Sequence, residues 1–276
     1  MDINNEYFQA IKHAGIFDLS KQCFKISGQD ARDFINRILT NNIKDLKGGF
    51  GSYNCLCDKK GKMLADLYCY AAGDFFIIAC SKSLTDKIRD ILKRYIIIEA
   101  VQIEEPLLWN GVAVIGPEAE SLLTKSSLKI PMDELQFVEM MREEHPLSII
   151  RKKYWGLDGF EIWGEEKTLL NLKKEWPDPI SEETQEILRI ESKTPLYGVD
   201  IISETIPQEA DLYSALDFNK GCYIGQETIA RLEHRGHVNK KLSLLKLSGN
   251  RLPDAGIRIL TKEGEDAGYV TSSCYS

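Results

Sequence analysis

The order of apolar patterns between residues 23 and 95 constrains the fold most. CFKIS (23–27) reads as a short strand, and GQDARDFINRIL (28–39) follows with Phe34, Ile35, Ile38 and Leu39 at helical spacing. The run 62–80, KMLADLYCYAAGDFFIIAC, reads as two strands joined by a turn at Ala72-Gly73-Asp74. SLTDKIRDILKRY (83–95) reads as a second helix, with Ser83 as its N-cap and basic residues near its end. Strand, helix, strand, strand, helix lacks the strict alternation of a doubly wound parallel sheet, so the expected class is α+β.

The pattern continues in the same mixed manner. GVAVIGPEAESLLTK (111–125) gives strand, turn and helix, with Pro117 where a first helical turn tolerates it. Strand-like runs follow at 136–141 and 147–151 and at GFEIW (159–163). EWPDPISEETQEILRIES opens with a Pro-rich connection and continues as a helix with Ser181 as N-cap and Glu182 and Glu183 in the first turn. IPQEADLYSAL reads as a short helix. From about residue 241, KLSLLKLSG and GIRILTKEGEDAGYVTSS read as strands and hairpins of a small β-rich C-terminal part.

Charge and composition narrow the function classes. The 276 residues carry a net charge of −7, against a generally nucleic-acid-coating surface. No apolar run approaches the roughly 20 residues needed to span a bilayer. MDINNEYFQAIKHAG lacks the basic and then apolar layout of a signal peptide, so the expected location is cytoplasmic. The seven cysteines are odd in number and scattered, which suits a reducing compartment. Cys69 and Cys80 lie in apolar runs and read as small hydrophobes, and Cys55-x-Cys57 has no second ligand pair at zinc-site spacing, so no metal is expected. Gly48-Gly49-x-Gly51 lacks the strand-to-helix context of a dinucleotide site, and no G-x-x-x-x-G-K-[ST] is present.

NKGCYIGQETIARLEHRGHVNKK (219–241) concentrates chemistry. Gly221 and Gly225 allow tight turns around Cys222 and Tyr223. Lys220 beside Cys222 would favour thiolate. Gln226 and Glu227 offer an amide and a carboxylate to a polar heterocycle, and Arg231, Arg235, Lys240 and Lys241 make the segment basic, which suits an anionic ligand or partner. The residues alone leave open a structured loop with a packed cysteine. His234 and His237, three apart and without a clear third ligand, favour a non-metal reading.

KGCYIGQE (220–227) resembles the signature of the YgfZ-type folate-binding proteins, relatives of the glycine-cleavage T-protein and of the mitochondrial iron–sulfur assembly factor of that family. LRIESKTPLYGVDIISETIPQEADL (188–212) is similar to the preceding family block and supplies Arg189, Glu191, Pro195, Gly198, Asp200, Pro207 and Glu209. GKMLADLYCY (61–70), GLDGFEIW (156–163) and GQDARDFINRILTNNI match further blocks, so the resemblance covers nearly the whole chain. It implies a ring of two α/β domains within residues 1–240, divided near residue 105, and a C-terminal β-barrel-like domain at 241–276 that is short or incomplete.

The resemblance also implies tetrahydrofolate or a derivative as cofactor. Glu161 would accept from the pterin's guanidine-like N–H edge. Tyr223, Phe160 or Trp163 would contribute a face, Gln226 a polar contact, and Arg231 or Arg235 a hold on the glutamate tail. Asp66 matches the strand where T-proteins carry an aspartate that acts near the folate. T-proteins have K-x-x-[FY]-I-G-[RK]-E where this chain has KGCYIGQE, and A-R-D where it has Glu186-Ile187-Leu188. The cysteine version resembles the YgfZ branch. It implies a monomeric, folate-binding accessory protein for assembly or repair of iron–sulfur enzymes, including tRNA-modifying ones, with Cys222 as a functional thiol. Its partners would be iron–sulfur client or assembly proteins, with no membrane and no direct nucleic-acid contact. Two alternatives stand beside it: a folate-dependent aminomethyltransferase, and a non-catalytic interaction module that has lost folate binding.

Overall fold

The structure, a computed structural model, describes every residue except Met1 and Asn250 and, of Arg235, the backbone alone. The chain opens with α1 (Ile3–Lys12) and β1 (Gly15–Asp18), followed by β2 (Lys21–Ser27) and α2 (Ala31–Ile38). Next come β3 (Gly51–Cys57), β4 (Met63–Ala72), β5 (Phe75–Ser81), α3 (Thr85–Arg94) and β6 (Gln102–Pro106). A second group holds β7 (Asn110–Ile115), α4 (Ala119–Lys125), β8 (Phe137–Arg142), β9 (His145–Arg151), β10 (Gly159–Gly164) and α5 (Glu166–Lys173). The chain closes with α6 (Glu182–Glu191), α7 (Gln226–Arg235), β11 (Arg258–Leu260) and β12 (Asp266–Tyr269).

The strands form two five-stranded sheets, ordered β3-β4-β5-β2-β6 and β1-β7-β10-β9-β8, and a separate β11-β12 pair. All recorded pairings in the two large sheets are antiparallel. Period-two alternation explains the layers. Along β4, Leu67, Cys69 and Ala71 turn to the core under α2 and α3, where Phe34, Ile35, Ile38, Ile88 and Leu92 pack. The alternate residues Tyr68, Tyr70 and Ala72 turn the other way, toward Phe137, Ile150 and Trp163 of the second sheet. That sheet's remaining face, with Val112, Val114, Phe160 and Ile162, packs on α4 and α5. The order is therefore helices, sheet, sheet, helices, with both sheets fully sandwiched.

Local chemistry sets several boundaries. A two-residue loop joins Ala72 to Phe75, and Gly73 takes φ +66 there. The Ser181 side chain accepts from the Thr184 amide and caps α6. The buried Glu6 carboxylate of α1 accepts from the Ser181 amide (2.8 Å) and the Thr184 hydroxyl (2.8 Å), tying α1 to the start of α6.

Three expectations are corrected. IPQEADLYSAL contains turns and one 3-10 turn at Tyr213–Ala215 instead of a short helix. Side chains there compete with helical bonding: Glu209 accepts from the Ile206 amide, and Gln208 donates to the Ile229 carbonyl. KLSLLKLSG forms no strand, and Leu244, Leu245 and Leu247 are exposed, with no strand paired to them among the described residues. Ser83 is not an N-cap, since α3 begins at Thr85 and the Ser83 hydroxyl pairs with that of Ser81 at 3.0 Å. The β11-β12 hairpin is the only C-terminal sheet among the described residues, and no barrel is formed there. Strand β1 crosses to the second sheet, beside β7, although it precedes the whole of the first.

Candidate functional site

Alternation on β10 points Phe160 and Ile162 at the helices and leaves Glu161 and Trp163 facing the first sheet. Glu161 is fully buried there. Its Oε1 accepts from the ammonium groups of Lys21 on β2 (2.9 Å) and Lys152 beyond the end of β9 (2.8 Å), and from the Tyr154 hydroxyl. Its Oε2 accepts from the Trp163 indole at 2.9 Å. The Lys152 ammonium lies 3.5 Å from the centroid of the Tyr68 ring, a cation–π contact.

Burial alone would raise the Glu161 pKa. The charges of Lys152 and Lys21, with hydrogen bonds from Lys152 and Tyr154, more than reverse this and hold the carboxyl well below its ordinary range. Burial lowers the pKa of Lys21; Glu161 opposes that shift and the like charge of Lys152 adds to it. Burial, and next the Glu161 charge, pushes the Tyr154 hydroxyl well up. Two ammonium groups against one carboxylate leave the cluster a surplus positive charge. The buried Tyr70 hydroxyl, in the same layer between the sheets, has no hydrogen-bond partner among the described residues.

Asp66 lies two residues before Tyr68 on the same side of β4, and Tyr53 on β3 pairs opposite Tyr68. The Tyr53 hydroxyl donates to Asp66 at 2.9 Å. Tyr53 stacks on Tyr68 with centroids 4.7 Å apart, and Tyr68 is nearly parallel to Tyr70 at 6.2 Å. A ladder of tyrosines therefore runs from Asp66 to the Glu161 cluster. The structure brings these two expected site residues to one face.

The 220–227 segment is placed differently. The Lys220 ammonium is turned to the end of α2, donating to the carbonyls of Asn36 (2.7 Å), Leu39 (2.8 Å) and Asn41 (2.6 Å), so it caps a helix rather than activating the thiol. Burial brings its pKa down to about 8, against the pull of Asp217. Tyr223 is buried among Cys55, Cys57, Met63 and Ile229 and offers no open ring face. Gln226 reaches back to the Lys220 carbonyl at 3.4 Å. Arg231 is exposed on α7, and the Arg235 side chain lies outside the described residues. His237 lies beyond the end of α7, so it shares no helical face with His234. Gly225 has φ +83 and meets Gly61 so closely that a Cβ on it would stand 2.6 Å from the Asp58 carbonyl oxygen.

Of the seven cysteines, five are buried, Cys274 is half-buried and Cys222 is exposed. Iodoacetamide is expected to modify Cys222 first, and Cys222→Ala to leave stability within about 0.5 kcal/mol of wild type. Peptide mapping over a time course, beside a urea titration, checks both. Among the described residues no cluster of three or more His, Cys, Asp or Glu could hold a metal ion. No described helix is long and apolar enough to cross a membrane.

Other motif residues prove structural. Arg189 binds Glu186 (2.7 Å), Asp200 (2.6 Å), the Thr194 carbonyl (2.8 Å) and Ser272 (2.9 Å), so it pins the chain's end to α6. Glu191 accepts from Tyr7 at 2.7 Å. Lys21, Lys152, Tyr53, Tyr68, Tyr70 and Tyr154 were not singled out from the sequence. The Asp-x-Tyr-x-Tyr alternation of β4 was a readable signal for part of this set, while nothing local marks either lysine.

Two antiparallel sheets packed face to face between helices, with an ionised cluster in their interface, define a four-layer α+β protein. The family described as "GCVT N-terminal domain" matches residues 1–220, and the chain belongs to that family. Curated relatives include an aminomethyltransferase of Bacillus licheniformis, 29% identical over 99% of this chain and 79% of its own length. Another is that of Bacillus mycoides, 26% identical over 99% of this chain and 78% of its own length. The solved glycine cleavage system aminomethyltransferase T of Bartonella henselae superposes with a TM-score of 0.84, covering 98% of this chain and 76% of that one at 22% identity, so the fold is shared.

Proposed function

We propose that the protein binds a reduced folate on the Asp66–Glu161 face and, as a cytoplasmic monomer, supports assembly or repair of iron–sulfur enzymes, tRNA-modifying ones among them. The observation that carries the folate reading is the ionised Glu161 cluster, set among parallel tyrosines beside the orphaned Tyr70 hydroxyl. A buried charge cluster is a poor device for stability alone. The residues fit a flat, polar-edged heterocycle: tyrosine faces, a carboxylate at Asp66, a cation at Lys21 and an unsatisfied hydroxyl. Bound tetrahydrofolate would supply ring nitrogens able to carry a one-carbon unit. Asp66 would hold or release a proton at its carboxylate, steadied by Tyr53, while Lys21 and Lys152 set the charge of the opposite end. Arg231, exposed on α7, would meet an anionic tail or partner, and the exposed Cys222 supports the iron–sulfur branch.

Titration with tetrahydrofolate is expected to quench tryptophan emission, because Trp163 is part of the cluster, and Asp66→Asn to weaken binding about ten-fold. A flat emission together with a calorimetric titration showing no heat would sink the folate reading. In a strain lacking the native protein, Cys222→Ala is expected not to restore iron–sulfur enzyme activity; full rescue would return Cys222 to a surface side chain. The aminomethyltransferase reading is favoured by the names of the relatives and by the shared fold. Turnover of an aminomethylated carrier with tetrahydrofolate at ordinary enzyme rates, on the order of 1 per second or faster, would decide for it.

A further inference from the structure

At the Glu161 cluster a ligand meets the ammonium that covers the carboxylate before the carboxylate itself. Both Glu161 oxygens are occupied by protein donors and the side chain is buried. Lys21, by contrast, keeps 23% of its side chain exposed. Its ammonium stands 5.2 Å from the ring centroids of both Tyr68 and Tyr154, so the part-exposed cation of the cluster lies beside two aromatic rings. Two of the three N–H donors of Lys21 are engaged, by Glu161 at 2.9 Å and by the Tyr154 oxygen at 3.0 Å. Lys152, buried behind it, adds a second positive charge against the same carboxylate oxygen.

We infer that Lys21, backed by Lys152, makes this face select pteridines with an oxo group at ring position 4 over those with an amino group there. The inference rests on the folate reading and names the ring edge that the site reads. A 4-oxo ring presents a carbonyl oxygen, an acceptor that the free donor of Lys21 satisfies. A 4-amino ring presents a donor instead, and its greater basicity makes it a cation when it meets a carboxylate. A lone buried carboxylate would favour that cation. Here the carboxylate already has two ammonium partners, so a third positive group meets net repulsion in a low-dielectric layer. Lys21 and Lys152 are thus specificity-determining through charge, and Glu161 acts as the anchor that holds both.

The test is calorimetric titration of the full chain with folic acid and with aminopterin, which differs from it only by the 4-amino group. Folic acid is expected to bind at least about ten-fold tighter, and Lys21→Met to bring the two within about two-fold. Lys21→Met leaves Lys152 and Glu161 as a one-to-one pair and is expected to fold, as circular dichroism and a urea midpoint would verify. The wild-type ratio is decisive without any variant. Equal binding, or tighter aminopterin, in the wild type overturns the inference while leaving the folate reading intact. An unchanged ratio in folded Lys21→Met overturns the role of Lys21. Failure of folic acid, aminopterin and tetrahydrofolate alike to bind overturns the folate reading and the inference with it.

Discussion

Replacing Glu161 with alanine is expected to destabilise the protein by about 3–5 kcal/mol, read as a lowered urea midpoint. The substitution leaves the buried Lys152 and the part-buried Lys21 without their anion, and it removes the acceptor of the Tyr154 hydroxyl and the Trp163 indole. The cost is that of unpaired buried charge more than of a lost attraction. The triple change Glu161→Met, Lys21→Met and Lys152→Met is therefore expected to recover wild-type stability or exceed it. If Glu161→Ala unfolded no more easily than wild type, Glu161 would not be the anion that compensates Lys21 and Lys152.

The same cluster sets a pH dependence. The folded Glu161 carboxyl lies below its ordinary value of 4.5, so its contribution is fully present above pH 4.5 and is lost as pH falls toward the folded value. Lys21 is lowered from 10.5, so in the window between its folded value and 10.5 the unfolded chain binds more protons and stability rises with pH. Both groups favour the folded state on the alkaline side. Urea midpoints measured from acid to alkaline pH should show both limbs, and both should vanish in the triple variant.

Gly225→Ala is the second large effect, expected at about 2–5 kcal/mol. A left-handed backbone costs a residue with a Cβ roughly 1–2 kcal/mol. Overpacking adds about 1–3 kcal/mol. The Cβ would stand 2.6 Å from the Asp58 oxygen and 2.9 Å from the Gly61 Cα, and backbone cannot rotate aside as a side chain can. Gly221→Ala is the control within the same motif: nothing lies within 4 Å of its Cβ position, and about 0.5 kcal/mol or less is expected. Equal urea midpoints for the two variants would refute the backbone-contact role given to Gly225.

Legibility followed the physics of range. The two strands around Gly73, the strands β8 to β10 and the capped helix α6 were readable because alternation, a two-residue turn and a serine cap are local signals. Strands β1, β3 and β6 and helices α1 and α5 were not assigned; β1 and β6 are short and are held by strands distant in the chain. KLSLLKLSG failed the other way, since its apolar spacing resembles a strand but no strand pairs with it among the described residues. Of the residues gathered at the candidate site, Asp66 and Glu161 were singled out through the resemblance of their blocks. Lys21 and Lys152 were not, because 131 residues separate them in the chain and neither stands in a pattern of its own.

The sequence by itself determined the T-protein superfamily, the mixed strand and helix order, and the motif that carries Cys222, Gly225 and Gln226. Those follow from local periodicity, turn chemistry and the succession of blocks. Only the tertiary structure decided which side chains share a site. Packing one sheet on the other set Lys21 against Glu161 beside Lys152, and the docking of the 220–226 segment on the end of α2 turned Lys220 away from Cys222. A strand's alternation says that a side chain faces one side or the other. Which charge waits there depends on the sheet that comes to cover it.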